Sequence, residues 1–165
     1  MEERTKFLTA SLIIISKEKQ QRLEAIKNLT LAQSAEANKE DTDDLLENMT
    51  RLIGEKQRKI EEINLLDQNF KKLHTELESL IHIGNWQNAG KHPDSQIRAL
   101  SNILEKNTIT MREIQAIDIE NTNKMQENLK QIQEQLKKVR QGKKAAYGYD
   151  SNYGGVDAYF VDKKR

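Results

Sequence analysis

From Ile97 to Val139 the apolar residues return mostly every three or four positions: Ile97, Leu100, Leu104, Met111, Ile114, Ile117, Met125, Leu129, Ile132, Leu136 and Val139. That spacing brings side chains back to one face of an α-helix and does not fit the two-residue period of a strand. A stretch of this length commits the chain to a long helix with one narrow apolar stripe. Such a stripe needs a covering partner, from the same chain or another.

The same pattern occurs twice more. Between Met49 and Ile81 the expected seam is Met49, Ile53, Lys56, Ile60, Ile63, Leu66, Phe70, Leu73, Leu77 and Ile81, close to a sustained heptad repeat. Near the start it is Leu8, Leu12, Ile15, Leu23, Ile26, Leu29 and Ala32, interrupted by Lys19. A lysine there loosens the packing or lays its stem along the seam edge with its charge in water. Phe7, Ile13 and Ile14 widen the apolar face at this end, as a broader core or as a partner surface.

Composition agrees with helices that share a thin core. Only 36% of the 165 residues are hydrophobic, while 32% are charged, and there is a single Pro. The expected fold is all-α: three long antiparallel helices in an elongated, coiled-coil-like bundle, with a flexible C-terminal tail. The helices are expected over about residues 3–37, 42–82 and 94–141, giving a bundle over 1–144 and a tail over 145–165.

The connections carry their own signals. Asp41 or Thr42 can cap the second helix, with Asp43 and Asp44 in its first turn. The stretch 84–93 holds two Gly and the only Pro, and its Trp86 is expected to fold back over the bundle end. Pro93 suits a first helical turn, with Asp94 or Ser95 as N-cap, and Gly142 is a plausible stop. Gly54 reads as a tolerated surface glycine. Asn107, Asp118 and Asn121 fall on the third seam, either to set register or to make a weak layer that opens.

Several function classes lose support. The 27 basic and 26 acidic residues nearly cancel, which disfavours a general polyanion binder. No cysteine is present, so disulfides and thiolate metal sites are excluded. His74, Glu78, His82 and His92 do not have the spacing of a closed metal site, and the expectation is no metal, no cofactor and no catalytic residue. No apolar run approaches the roughly 20 residues of a membrane span, and Glu2 and Glu3 occupy the place of a signal peptide's basic region. The expected location is the cytoplasm. After the last helix come Tyr147-Gly148-Tyr149, Tyr153, Tyr159 and Phe160, then a basic end. Tyrosine is a favoured interface anchor, so this tail reads as a binding segment.

Taken in order, these elements resemble the FlgN family of flagellar export chaperones. The resemblance lies in Leu29-Thr30-Leu31-Ala32-Gln33, then Lys39-Glu40-Asp41 leading to Leu45, then Lys56-Gln57, Ile60, Ile63 and Leu66-Asp67. It continues in Ile117 to Met125, Leu129 and Ile132, and closes on Tyr147-Gly148 with a basic segment behind it. It implies a cytoplasmic chaperone that binds the C-terminal helices of hook–filament junction proteins and delivers them to the type III export gate, using no cofactor. It implies that Tyr147, with Gly148, docks to that gate. A client groove is then expected on the third helix at Ile117, Met125, Leu129, Ile132, Leu136 and Val139, reading an amphipathic helix at i, i+3, i+4 and i+7. Tyr159 and Phe160 are expected to cover that groove transiently. The alternative is a structural coiled-coil homo-oligomer or adaptor without a secretion client, and a homodimer is compatible with either reading.

Overall fold

The computed structural model describes residues 2–41 and 43–147. It contains three α-helices, α1 (Glu2–Ala37), α2 (Leu45–Leu80) and α3 (Ser95–Tyr147), with a short 3-10 turn at Trp86–Lys91 between the last two. There is no strand among the described residues. The chain divides into two compact units, Met1–Thr122 and Asn123–Arg165. The α3 helix supplies residues to both units.

The first unit is an up-down-up helical bundle. Its directions follow from the cross-helix pairs. Arg4 pairs with Glu76, Lys19 with Asp67 and Arg22 with Glu62, so α2 runs against α1. Lys27 pairs with Glu113 and Asn121 bonds to Thr30, so α3 runs along α1.

Two apolar clusters hold the bundle together. At one end Leu8, Leu12 and Ile13 of α1 meet Leu77 of α2 and Leu100 of α3, flanked by Phe70, Leu73, Ile103, Leu104 and Trp86. Farther along, Leu23 and Ile26 meet Ile63 and Ile114, with Ile60 beside them. Each fully buried aliphatic side chain contributes about 1.5–3 kcal/mol relative to exposure. Of the three residues that widen the N-terminal face, Ile13 joins the core. Phe7 and Ile14 stay on the surface, with the Arg4 guanidinium 5.3 Å from the Phe7 ring centroid.

Polar layers separate and follow the apolar ones. Asn107 is buried and its Nδ2 donates to the Ser16 carbonyl at 3.0 Å. Its Oδ1 and the buried Ser16 hydroxyl have no partner among the described residues. Lys56 donates to Asp118 at 2.5 Å and to Gln33 at 3.2 Å. Asn121 Nδ2 donates to the Thr30 carbonyl at 3.0 Å, and the Ser34 hydroxyl donates to Asn121 Oδ1 at 2.5 Å. These bonds tie one register of α3 against α1 and α2, because a slip of one turn would strand each group beside an apolar neighbour. Lys19 lies at the seam edge with its ammonium 2.7 Å from Asp67.

Several local expectations are corrected. In α2 the inward position is Leu52, 4% exposed, while Ile53 is 56% exposed. Steps of 49–52–56 and 49–53–56 serve a 3.6-residue helix equally well, and apolarity alone does not separate them. In α1 the buried position near residue 30 is Thr30, whose hydroxyl donates to the Ile26 carbonyl and so enters the core satisfied. The second helix starts at Leu45, not near 42. Asp41 accepts from the Asp43 amide at 3.0 Å and closes a turn ahead of the helix, while Asp44 at the N-cap makes no side-chain capping bond. At the third helix, Asp94 accepts from the Gln96 amide at 2.8 Å and is the N-cap. Gly142 does not stop α3, which runs to Tyr147. One glycine costs a helix about 1 kcal/mol, and Lys143, Lys144, Ala145 and Ala146 behind it are strong helix formers.

The α2–α3 connection packs as expected for Trp86. Its indole Nε1 donates to Glu78 at 3.0 Å, its ring lies 5.2 Å from His74, and its body meets the first apolar cluster. Gly84, at φ +70°, takes the left-handed conformation that starts this turn. Arg98 reaches back to the carbonyls of His92 and Pro93, at 2.6 and 2.8 Å, and fastens the connection to α3.

Candidate partner-binding face

The helical part of the second unit is α3 from Asn123 to Tyr147. Its apolar residues step by four, three, four and three: Met125, Leu129, Ile132, Leu136, Val139. In heptad terms Leu129 and Leu136 take a positions, and Met125, Ile132 and Val139 take d positions. Leu129 is 56% exposed, Ile132 43%, Leu136 52% and Val139 53%, while Met125 is half-buried. The result is an apolar seam open to water over about two heptads.

The residues beside the seam are mostly uncharged. Gln126, Gln133, Asn128 and Gln135 flank it, with Arg140 the one cation in a flanking position. Charges keep to the back: Glu127 and Glu134 lie opposite the seam, with Lys130, Lys137 and Lys138 beside them. Lys124 pairs with Glu127 at 3.8 Å along the helix. An amphipathic helix from a partner could lay its own apolar face on this seam and meet amides at the edges.

The six residues expected to form one groove are divided between the units. Ile117 belongs to the first unit and is half-buried there. The other five belong to the second, where they make a ridge along one helix; a groove would need a second wall. Tyr147 is the last residue of α3. Its side chain, Gly148, and the tail residues Tyr159 and Phe160 lie outside the described residues.

Other groups sort into structural roles. His74 stacks on Phe70 at 5.6 Å between ring centroids and sits 3.6 Å from Glu78. No group of three metal-ligating side chains occurs among the described residues. A groove of about 530 Å³ between α1 and α2 is lined by Asn28, Glu55, Arg58, Lys59 and Glu62 among others, and is open and charged. No described helix is long and apolar enough to cross a membrane. The carboxyls of Glu76 and Glu36 are held below their ordinary values, the first chiefly by hydrogen bonding from Arg4, the second by hydrogen bonding from Lys39 and Asn48.

Sequence reasoning missed the buried hydroxyls. Thr9, Ser16, Thr30 and Thr110 occupy core positions, and three of them donate to the carbonyl four residues back. Their three- and four-residue spacing from Leu12, Ile26 and Ile114 is the signal in the sequence. No family model, curated protein or solved structure matches the chain.

Proposed function

We propose that this chain is a cytoplasmic export chaperone of the kind seen in the FlgN family. On this reading it captures the C-terminal amphipathic helices of hook–filament junction proteins and hands them to the flagellar export gate through Tyr147 and Gly148. The observation that supports it is the open seam of Leu129, Ile132, Leu136 and Val139. An apolar stripe with 3-4 spacing matches a helical client, because such a client carries its anchors at the same spacing. The thioether of Met125 adds a contact that adapts to different client side chains. No covalent chemistry or cofactor is involved.

The test is calorimetric titration of the full-length protein with the C-terminal helical segments of the two junction proteins. The filament protein's C-terminal segment is the negative control. Micromolar or tighter binding to the first two alone supports the chaperone reading. Absence of binding to all three, in a helical and monodisperse sample, rejects it in favour of a structural coiled-coil adaptor. Tyr147→Ala separates the two roles within the chaperone reading: it leaves client affinity unchanged and removes delivery to the gate.

A further inference from the structure

We infer that the seam of α3 from Met125 to Val139 is also a self-association surface, and that its occupant when no client is bound is the same seam of further copies of this chain. The inference goes beyond the chaperone reading and does not rest on it.

Three observations carry it. First, the seam is open, with Leu129, Leu136 and Val139 each more than half exposed. A coiled-coil stripe of this regularity leaves apolar surface in water unless another helix covers it. Second, the flanks suit a copy of themselves. Charges at flanking positions normally choose partner and orientation, and like charges there repel. Here Gln126, Asn128, Gln133 and Gln135 put amides at four flanking positions, and the one flanking cation, Arg140, meets the Gln135 position of a parallel neighbour, so identical helices meet without charge repulsion. Third, the layers are of two kinds: Leu at both a positions, and Ile132 and Val139, both β-branched, at two of the three d positions. Leucine at a with isoleucine at d shifts a parallel coiled coil past the dimer, toward three or four strands; β-branched residues at a with leucine at d favour two. In a parallel, in-register arrangement, which the repeated Leu and β-branched layers allow, the assembly is larger than a dimer. Only five layers contribute, so it is reversible and concentration-dependent.

Sedimentation equilibrium of the full-length protein without client tests this. The expected mass rises with concentration from one chain toward about three or four. The Leu129→Asp, Ile132→Asp double variant stays at one chain, and in solutions dilute enough for the natural protein to be a single chain its thermal unfolding is unchanged, because the bundle core lies elsewhere. Exchanging the layers, with Leu129→Ile, Leu136→Ile, Ile132→Leu and Val139→Leu, keeps the seam apolar and brings the limiting mass down to two chains. The natural chain has no cysteine, so a Val139→Cys variant can form a disulfide only between identical positions, and oxidation traps a linked pair when the helices are parallel and in register. A mass of one chain at every concentration overturns the inference, as does association that survives both aspartates. Client titration is read separately, so either idea can fail without the other.

Discussion

Residues 95–122 and 123–147 belong to one helix and carry one kind of pattern, yet they solve opposite problems. In the first stretch Ile97, Leu100 and Ile114 are buried, and the polar seam positions Asn107, Asp118 and Asn121 each have a partner on another helix. In the second, four of five seam residues stay exposed and all five are apolar. The stretch with covering helices tolerates asparagine and aspartate because each finds its bond. The exposed stretch carries the purer stripe. In this helix the uninterrupted stripe is the one left exposed, and the interrupted stripe is the one that its own chain covers.

The largest effect should come from cutting the same side chain in each stretch. Leu100→Ala removes a fully buried leucine and should lower unfolding free energy by about 2–5 kcal/mol. Leu136→Ala removes a half-exposed one and should change it by no more than about 0.5 kcal/mol. Chemical denaturation of the two dilute proteins measures both. Equal losses would break the contrast.

Asn121 tests the covered end. Asn121→Ala removes the bond to the Thr30 carbonyl and the acceptor for Ser34, at an expected cost of about 1–2 kcal/mol. A neutral substitution would mean that α3 does not depend on its polar layers for register.

Gly54 offers a change of opposite sign. A Cβ built there meets nothing within 4 Å, so Gly54→Ala should stabilise the bundle by about 0.5–1 kcal/mol. A loss of stability would show that the backbone at residue 54 is approached by a neighbour.

The smallest effect is electrostatic. Arg4 grips Glu76 with two bonds, at 2.6 and 2.8 Å, and holds its carboxyl below the ordinary value. A depressed folded value means stability that is present above the unfolded value and lost as pH falls through the folded one. Both groups are solvent-exposed, so the effect is small and screened by salt. Glu76→Gln should flatten part of the acid-side decline in melting temperature and leave the neutral-side profile in shape. An identical acid profile would remove this pair from the account.

Much of the fold could be read from spacing alone, since three long 3-4 seams leave few alternatives to a helical bundle. The helix ends were less legible. Gly142 was expected to act as a stop but lies inside α3, because its neighbours favour helix more than one glycine opposes it. Leu52 and Ile53 both fit the period, and only packing decides that Leu52 is the buried one. The division of the candidate face between Ile117 in one unit and the other five residues in the second has no signal in the sequence. Which part of the stripe is buried is a property of packing rather than of period.

The most direct test of the account is amide hydrogen exchange of the dilute full-length protein, free and with a junction protein's C-terminal helical segment. The account predicts that new protection is confined to amides between about residues 123 and 147, with α1 and α2 unchanged, because the partner covers the open seam and nothing else. New protection in α1 or α2 with none in the last two dozen residues of α3 would contradict it and place the partner on the bundle instead.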